Sequence, residues 1–155
     1  MIEMASHLGI CVADLERACG FYRDALGFVE SARLRFADEA TRTLLSLPDG
    51  VLEAVYLDRD GWRVELLHFP EPGTVAGAVP RPMNLAGLTH LSFVAPDLDA
   101  AIAAVEAHGG RLIAGTRLDG AAMVTDPDGT RIELMRRAFD PVALQAAAGP
   151  SGEGG

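Results

Sequence analysis

Cysteine is scarce in this chain: Cys11 and Cys19 are the only two in 155 residues. Cys11 falls in a strand pattern and Cys19 in the helix pattern that follows, so a reduced, intracellular pair is expected rather than a disulfide framework. No apolar run approaches the roughly 20 residues that a membrane span requires. The opening "MIEMASHLGI" lacks a basic run followed by an apolar stretch, so no secretory leader is expected and the compartment reads as cytoplasmic. Positive charge is also short, with 13 basic side chains against 22 acidic ones and a formal net charge of −9. A surface that acidic repels phosphate backbones and anionic lipid, which argues against nucleic acid or membrane as partner and for a small molecule. Disorder is excluded, because 49% of the residues are apolar. The length suits one domain with its own core.

What the chain does contain is a repeat. "SHLGICVADLERA" from Ser6 and "THLSFVAPDLDAA" from Thr89 share His-Leu, five residues, Asp-Leu, two residues and Ala, at an offset of 83. "DRDGWRVEL" from Asp58 and "DPDGTRIEL" from Asp126 share Asp-x-Asp-Gly-x-Arg-(Val/Ile)-Glu-Leu at an offset of 68. Two modules, 5–70 and 88–137, follow from this, joined by a Pro- and Gly-rich linker over 71–87. Gly27 and Gly110 keep the first offset, so the extra 15 residues lie in the first module between its helix and its last hairpin. "ADEATRTLLSLPDG" fills that place; with Asp38 as N-cap and an apolar stripe of Leu44, Leu45 and Leu47, it reads as a short inserted helix over 38–47, a strand being the competing reading. After Arg137 a tail, 138–155, offers at most one short helix and a flexible Gly-rich end.

Each module otherwise reads strand, helix, three strands. "HLGICVA" and "HLSFVA" are the first strands. Leu15, Ala18, Cys19, Tyr22, Ala25 and Leu26 in one copy, and Leu98, Ile102 and Val105 in the other, trace one helix face behind the caps Asp14 and Asp97. Gly27 and Gly109-Gly110 stop the helices. "VESARLRF", "VLEAVYL" and "RVELLHF" complete the first unit; "RLIAG", "AAMVT" and "RIELM" complete the second. Asp-Arg-Asp-Gly and Asp-Pro-Asp-Gly are the hairpin turns.

Strand alternation then sorts the side chains. Leu8, Ile10 and Val12 must face the helix, which leaves His7, Gly9 and Cys11 on the open face. Leu91 and Phe93 likewise leave His90 and Ser92 open. Val64 and Leu66, or Ile132 and Leu134, are the helix-facing pairs, so Glu65 and Glu133 share the open face with the histidines. One His or one Glu on such a strand is ordinarily a solvated residue. Both modules, however, place His near the start of the first strand and Glu within the last. If the modules pair edge to edge, two imidazoles and two carboxylates converge on the floor of one cup. Carboxylates that close repel unless protonated or bridged by a cation. One divalent ion (Zn, Ni, Co, Mn or Fe) held by His7, Glu65, His90 and Glu133 answers that, and a six-coordinate shell keeps two positions for water or substrate. His68 has the helix-facing parity of Leu66, and His108 sits at a helix C-terminus, so neither is expected as a ligand. Cys11 either lines the pocket or fills space.

These paired units, carried by "HLGICVADLERACGFYRDALGF", "THLSFVAPDLDAAIAAVEAHGG" and "DPDGTRIELM", resemble the vicinal-oxygen-chelate superfamily over residues 5–137. That superfamily includes glyoxalase I, methylmalonyl-CoA epimerase, extradiol dioxygenases, and bleomycin- and fosfomycin-resistance proteins. The resemblance implies an α+β fold of two tandem βαβββ modules in one domain, 1–137: a cupped, half-open barrel of mixed sheet with helices outside. It places the glyoxalase I ligands at His7, Glu65, His90 and Glu133, with Glu133 as the proton-transferring base and Glu65 as the alternative. The implied activity is that of a metal-dependent isomerase or lyase, moving a proton through a metal-chelated enediolate of a small substrate with vicinal oxygens. An extradiol-type ring-cleaving dioxygenase resembles the set His7, His90 and Glu133 alone. The epimerases use a further first-module carboxylate, for which Glu53 is the candidate. A metal-free drug- or metabolite-binding protein is the third reading. By resemblance the chain is a homodimer, its cup formed within one chain or by exchange of modules between two.

Overall fold

The computed structural model describes residues 1–75 and 81–148. The centre of the expected linker, 76–80, and the end of the tail, 149–155, lie outside the described residues. The first module runs β1 (Leu8–Cys11), α1 (Leu15–Gly20), β2 (Val29–Phe36), the inserted α2 (Glu39–Leu45), β3 (Val51–Arg59) and β4 (Trp62–Glu71). The second runs β5 (Leu91–Val94), α3 (Leu98–Ala107), β6 (Arg111–Leu112), β7 (Ala121–Thr125) and β8 (Arg131–Met135), and α4 (Pro141–Ala148) lies in the tail. Each module makes its own four-stranded mixed sheet, ordered β1-β4-β3-β2 and β5-β8-β7-β6. The strands that open and close each repeat, β1 with β4 and β5 with β8, run parallel. The fold is therefore α+β, two βαβββ units with helices against one face of each sheet and no closed barrel.

Capping sets where the helices begin. The Asp14 carboxylate accepts from the Arg17 N–H at 3.0 Å, and Asp97 accepts from Ala100 at 3.0 Å. The first helix does not continue as a regular spiral: a π-helical turn, Phe21–Ala25, follows α1. This wider turn buries Phe21 and Tyr22 together, at 1% and 0% exposure, where a 3.6-residue period predicts only Tyr22. The inserted segment is helical, as its cap implied, because Asp38 accepts from both the N–H and the hydroxyl of Thr41. Among the described residues, however, none of its leucines is fully buried: Leu45 and Leu47 are half-buried and Leu44 is 83% exposed. The strand expected over "RLIAG" is shorter than its pattern, ending at Leu112. Past it, Gly115 takes a positive φ of 77°, and the Thr116 hydroxyl takes over from the ladder, donating to Ile113 and Met123 carbonyls and accepting from the Met123 N–H.

One core serves both modules. Ile10, Val12 and Leu66 of the first sheet belong to the same buried cluster as Leu91, Ile132 and Leu134 of the second. Phe28 meets Phe93 edge-on at 6.0 Å between ring centres. The buried Tyr22 hydroxyl donates to Asp126 at 3.2 Å, while Asp126 also accepts from the N–H groups of Asp128 and Thr130 that shape the β7–β8 turn. Burial is the main cause raising the pKa values of both Tyr22 and Asp126. The two modules thus meet through their helix sides, where the Phe21–Ala25 turn packs on α3, and alternation turns both open faces away from that core. The modules are joined back to back, and among the described residues no ladder links one sheet to the other. No helix among them is long and apolar enough to cross a membrane.

Candidate metal centre

The open face of the first sheet carries a tight pair. His7 Nε2 lies 3.0 Å from Glu65 Oε2. The Tyr56 hydroxyl donates to the other oxygen, Oε1, at 2.7 Å, and the Tyr56 ring stands edge-on to the His7 imidazole at 5.6 Å. Glu65 is buried, at 8% exposure, so its charge has left bulk water and both of its oxygens have been given partners in return. That hydrogen bond, together with burial, pushes the Tyr56 hydroxyl up to about 12, so it stays a donor at any ordinary pH.

The second sheet repeats the pair with different support. His90 Nε2 lies 3.7 Å from Glu133 Oε2, and that same oxygen accepts from the Ser92 hydroxyl at 2.7 Å. Among the described residues Glu133 Oε1 has no hydrogen-bond partner. The Glu133 side chain is 24% exposed against 10% for Glu65. Glu65 is anchored at both ends of its carboxylate, and Glu133 is held at one.

Behind each imidazole sits a hydroxyl. Ser6 Oγ is 3.0 Å from His7 Nδ1, and Thr89 Oγ1 is 2.9 Å from His90 Nδ1. Such a contact orients the ring and, when Nδ1 carries the proton, leaves Nε2 free as a donor toward an ion. Sequence reasoning passed over Ser6 and Thr89, although the repeat displays them as Ser-His-Leu and Thr-His-Leu. Tyr56 was also passed over; the signal was the hairpin at Asp60-Gly61, whose register sets Tyr56 opposite Glu65. The matching position opposite Glu133 holds Met123, which is why Ser92 does the holding there.

The four sequence-derived ligands are thus joined in twos. His7 meets Glu65 and His90 meets Glu133, but among the described residues no three His, Cys, Asp or Glu side chains of the chain converge on one point. The back-to-back packing is the physical reason. Other candidates fall away from the pairs. His68 Nδ1 lies 3.3 Å from the Val12 carbonyl, and His108 Nδ1 lies 2.8 Å from the Ala104 carbonyl at the end of α3. Glu53 alternates with Val55 onto the helix side, opposite Glu65, and its carboxylate turns to Arg35 at 3.6 Å. Cys11 is exposed on the open-face parity of β1. Two imidazoles and two carboxylates, none of them a thiolate, form a donor set that fits a borderline-hard divalent cation, yet one pair offers only half of it.

Comparison with known proteins agrees with this architecture. No curated protein sequence matches the chain. Among solved structures, a glyoxalase family protein from Bacillus cereus superposes with a TM-score of 0.75 at 21% identity, covering 86% of this chain and 93% of its own. A mutant of the fosfomycin resistance protein FosX from Listeria monocytogenes, in complex with Mn(II) and 1S,2S-dihydroxypropylphosphonic acid, gives 0.64 at 15% identity, covering 94% and 99%. A glyoxylase/bleomycin resistance protein/dioxygenase domain from Frankia sp. EAN1pec gives 0.57 at 24% identity, covering 87% and 92%. At such identities these likenesses speak for the fold. The sequence itself matches a family over residues 5–134, and the chain belongs to the Glyoxalase/Bleomycin resistance protein/Dioxygenase superfamily.

Proposed function

We propose that this chain is a metal-dependent isomerase or lyase of the glyoxalase type, working as a homodimer in which His7 and Glu65 of one chain and His90 and Glu133 of another hold a single divalent ion. The observation that carries this reading is the doubled pair. Each module presents an Nε2-to-carboxylate contact with a hydroxyl behind the imidazole, on a face turned away from the shared core. Such a pair has too few donors for an ion by itself, and a second copy supplies the complementary two. The edge strands that end each sheet, β1 and β5, follow directly on the two histidines. FosX of Listeria monocytogenes, with the same fold, was crystallised with Mn(II), which supports a divalent ion of this kind here.

Such an ion, when bound, stabilises negative charge developing on a carbonyl oxygen of the substrate. The chain's own work is proton transfer. Glu133, with Oε1 unengaged by the described residues, accepts the proton from the carbon next to that carbonyl and returns it to the neighbouring carbon. Glu65, fixed by Tyr56 and His7, stays in place as a donor. Ala32, Leu34, Phe36, Leu52 and Ala54 share the face of Tyr56 by register and wall the first half of the cup with apolar surface that excludes water.

The test begins with metal content. The chain is stripped with chelator, dialysed, reloaded with Mn, Ni, Co, Zn or ferrous iron in turn, and separated by size. A dimer is expected that carries metal after reloading and none after stripping. Incubation of the loaded dimer with hydroxyketones and 2-oxoaldehyde hemithioacetals in deuterated water is then expected to exchange the carbon-bound proton, read by NMR. A metal-bearing monomer would overturn the shared site, and oxygen uptake with catechols in the ferrous form would replace proton transfer by ring cleavage. Within this reading, Tyr56→Phe removes one anchor from Glu65 and is expected to weaken metal affinity by about 10–100-fold, the usual cost of losing an outer-shell partner. Equilibrium dialysis measures it, and an unchanged thermal melting curve shows that the fold survives.

A further inference from the structure

The repeated hairpins are alike in sequence and unlike in charge. Arg63 and Arg131 occupy the same place in the repeat, each two residues before the Glu of its pair and on the same face of its sheet. Across the β3–β4 ladder Arg63 faces Asp58, whose carboxylate clamps the guanidinium at 2.6 and 2.8 Å. Across the β7–β8 ladder Arg131 faces Thr125, which carries no charge. Arg131 donates instead to the main-chain carbonyl of Arg81 at 2.9 Å. Among the described residues no carboxylate neutralises it.

A second cation stands beside it. The Arg81 guanidinium is held by the carbonyls of Leu85, Ala86 and Leu88, so its charge too is positioned without being cancelled. Both arginines line a cavity of about 320 Å³ together with His90, Thr130 and Cys11. Asp128 also reaches that wall, but its carboxylate is already taken by Arg17 at 2.6 Å and by the Ala13 N–H at 3.3 Å. Parallel pairing of Leu91 with Ile132 sets Arg131 beside His90 one step earlier in the strands. A chain with a net charge of −9 has therefore kept an excess of positive charge at a small-molecule-sized cavity next to one of its paired histidines.

A guanidinium without a carboxylate presents a planar fork that fits an oxyanion at two points. We propose that Arg131, supported by Arg81, binds an oxyanion group of the substrate, so that the site takes a vicinal-oxygen compound carrying a carboxylate or phosphate-type tail. The reacting end of that substrate rests on the metal-dependent reading above. Binding of the oxyanion end does not require the ion, and this lets the two be tested apart.

Inorganic phosphate and acetate are the probes, each titrated into the full-length, metal-stripped chain at constant ionic strength and followed by NMR shifts and calorimetry. Saturable binding is expected, the tighter of the two probes naming the tail. Arg131→Gln is expected to weaken it by at least about tenfold, as loss of a two-point charged contact does. Arg63→Gln, whose parent side chain is clamped by Asp58, leaves it unchanged. Thr125→Asp gives the second hairpin the carboxylate of the first and is expected to abolish binding while Arg131 remains. Absence of saturable binding in the parent chain, or binding in Arg131→Gln and Thr125→Asp as tight as in the parent, overturns the proposal. Mn(II) uptake is measured on the same samples. Failure of the parent chain to take up Mn(II), and likewise Ni, Co, Zn and ferrous iron, would remove the metal-dependent reading and leave the oxyanion result standing.

Discussion

Co-expression of a His7→Ala chain with a His90→Ala chain should restore metal binding that neither chain has when made alone. In a homodimer of His7→Ala both shared sites have lost an imidazole, and the same holds for His90→Ala. In the mixed dimer the losses gather: one site lacks both histidines, and the other combines the intact His7–Glu65 pair of one chain with the intact His90–Glu133 pair of the other. Random pairing makes about half of the dimers mixed, each with one good site, so about a quarter of the parental metal is expected. A ligand removed outright costs more than the roughly 10–100-fold attached to an outer-shell partner, so the homodimers should be close to empty. Two affinity tags isolate the mixed species, and elemental analysis reads the metal. A site built inside one chain predicts no recovery on mixing, and that result would rule out the shared arrangement. The structure favours recovery because the two pairs lie on faces that the common core of Ile10, Leu66, Leu91 and Leu134 turns outward.

Much of this was open to reading in the residues themselves. A strand in which Leu8, Ile10 and Val12 alternate with His7, Gly9 and Cys11 has only one way to bury its apolar side, so the face of His7 was settled without coordinates. The same holds for Glu65 between Val64 and Leu66. Asp14, Asp38 and Asp97 announced their helices because a short carboxylate ahead of an apolar period has a defined local partner, the N–H three residues on. Local rules did not carry further. Burial of Phe21 depends on a π-helical turn that fits it against the second module, where Gly110 comes so close that an added Cβ would lie 2.7 Å from the Phe21 ring. β6 stops early because the Thr116 side chain substitutes for a strand partner. The back-to-back packing rests on Tyr22 with Asp126 and Phe28 with Phe93, contacts between residues far apart in the chain that no periodicity encodes. For that reason the four side chains and the open faces that carry them were legible, while their division into the pairs His7–Glu65 and His90–Glu133 was not.

Glutamine substitutions at the two carboxylates should have opposite signatures. At position 133 the amide oxygen can still accept from Ser92 and still face a cation, but it cannot take up a proton at neutral pH. Glu133→Gln is therefore expected to keep its metal to within about tenfold while solvent-proton exchange falls by about 100- to 10,000-fold, the usual worth of a positioned base. At position 65 both carboxylate oxygens are committed, one to Tyr56 at 2.7 Å and one facing His7 at 3.0 Å. Glutamine puts an NH₂ group where one of those acceptors was, at a position only 8% exposed. Glu65→Gln should lose metal by about 10–100-fold or more, and exchange should return when metal is supplied in excess. Dialysis for the ion and deuterium uptake for the proton, run on both variants, separate anchor from base. If the metal-saturated Glu65→Gln protein stays silent while Glu133→Gln exchanges normally, the two carboxylates have traded places and the proton is carried in the first module, against the geometry of Tyr56.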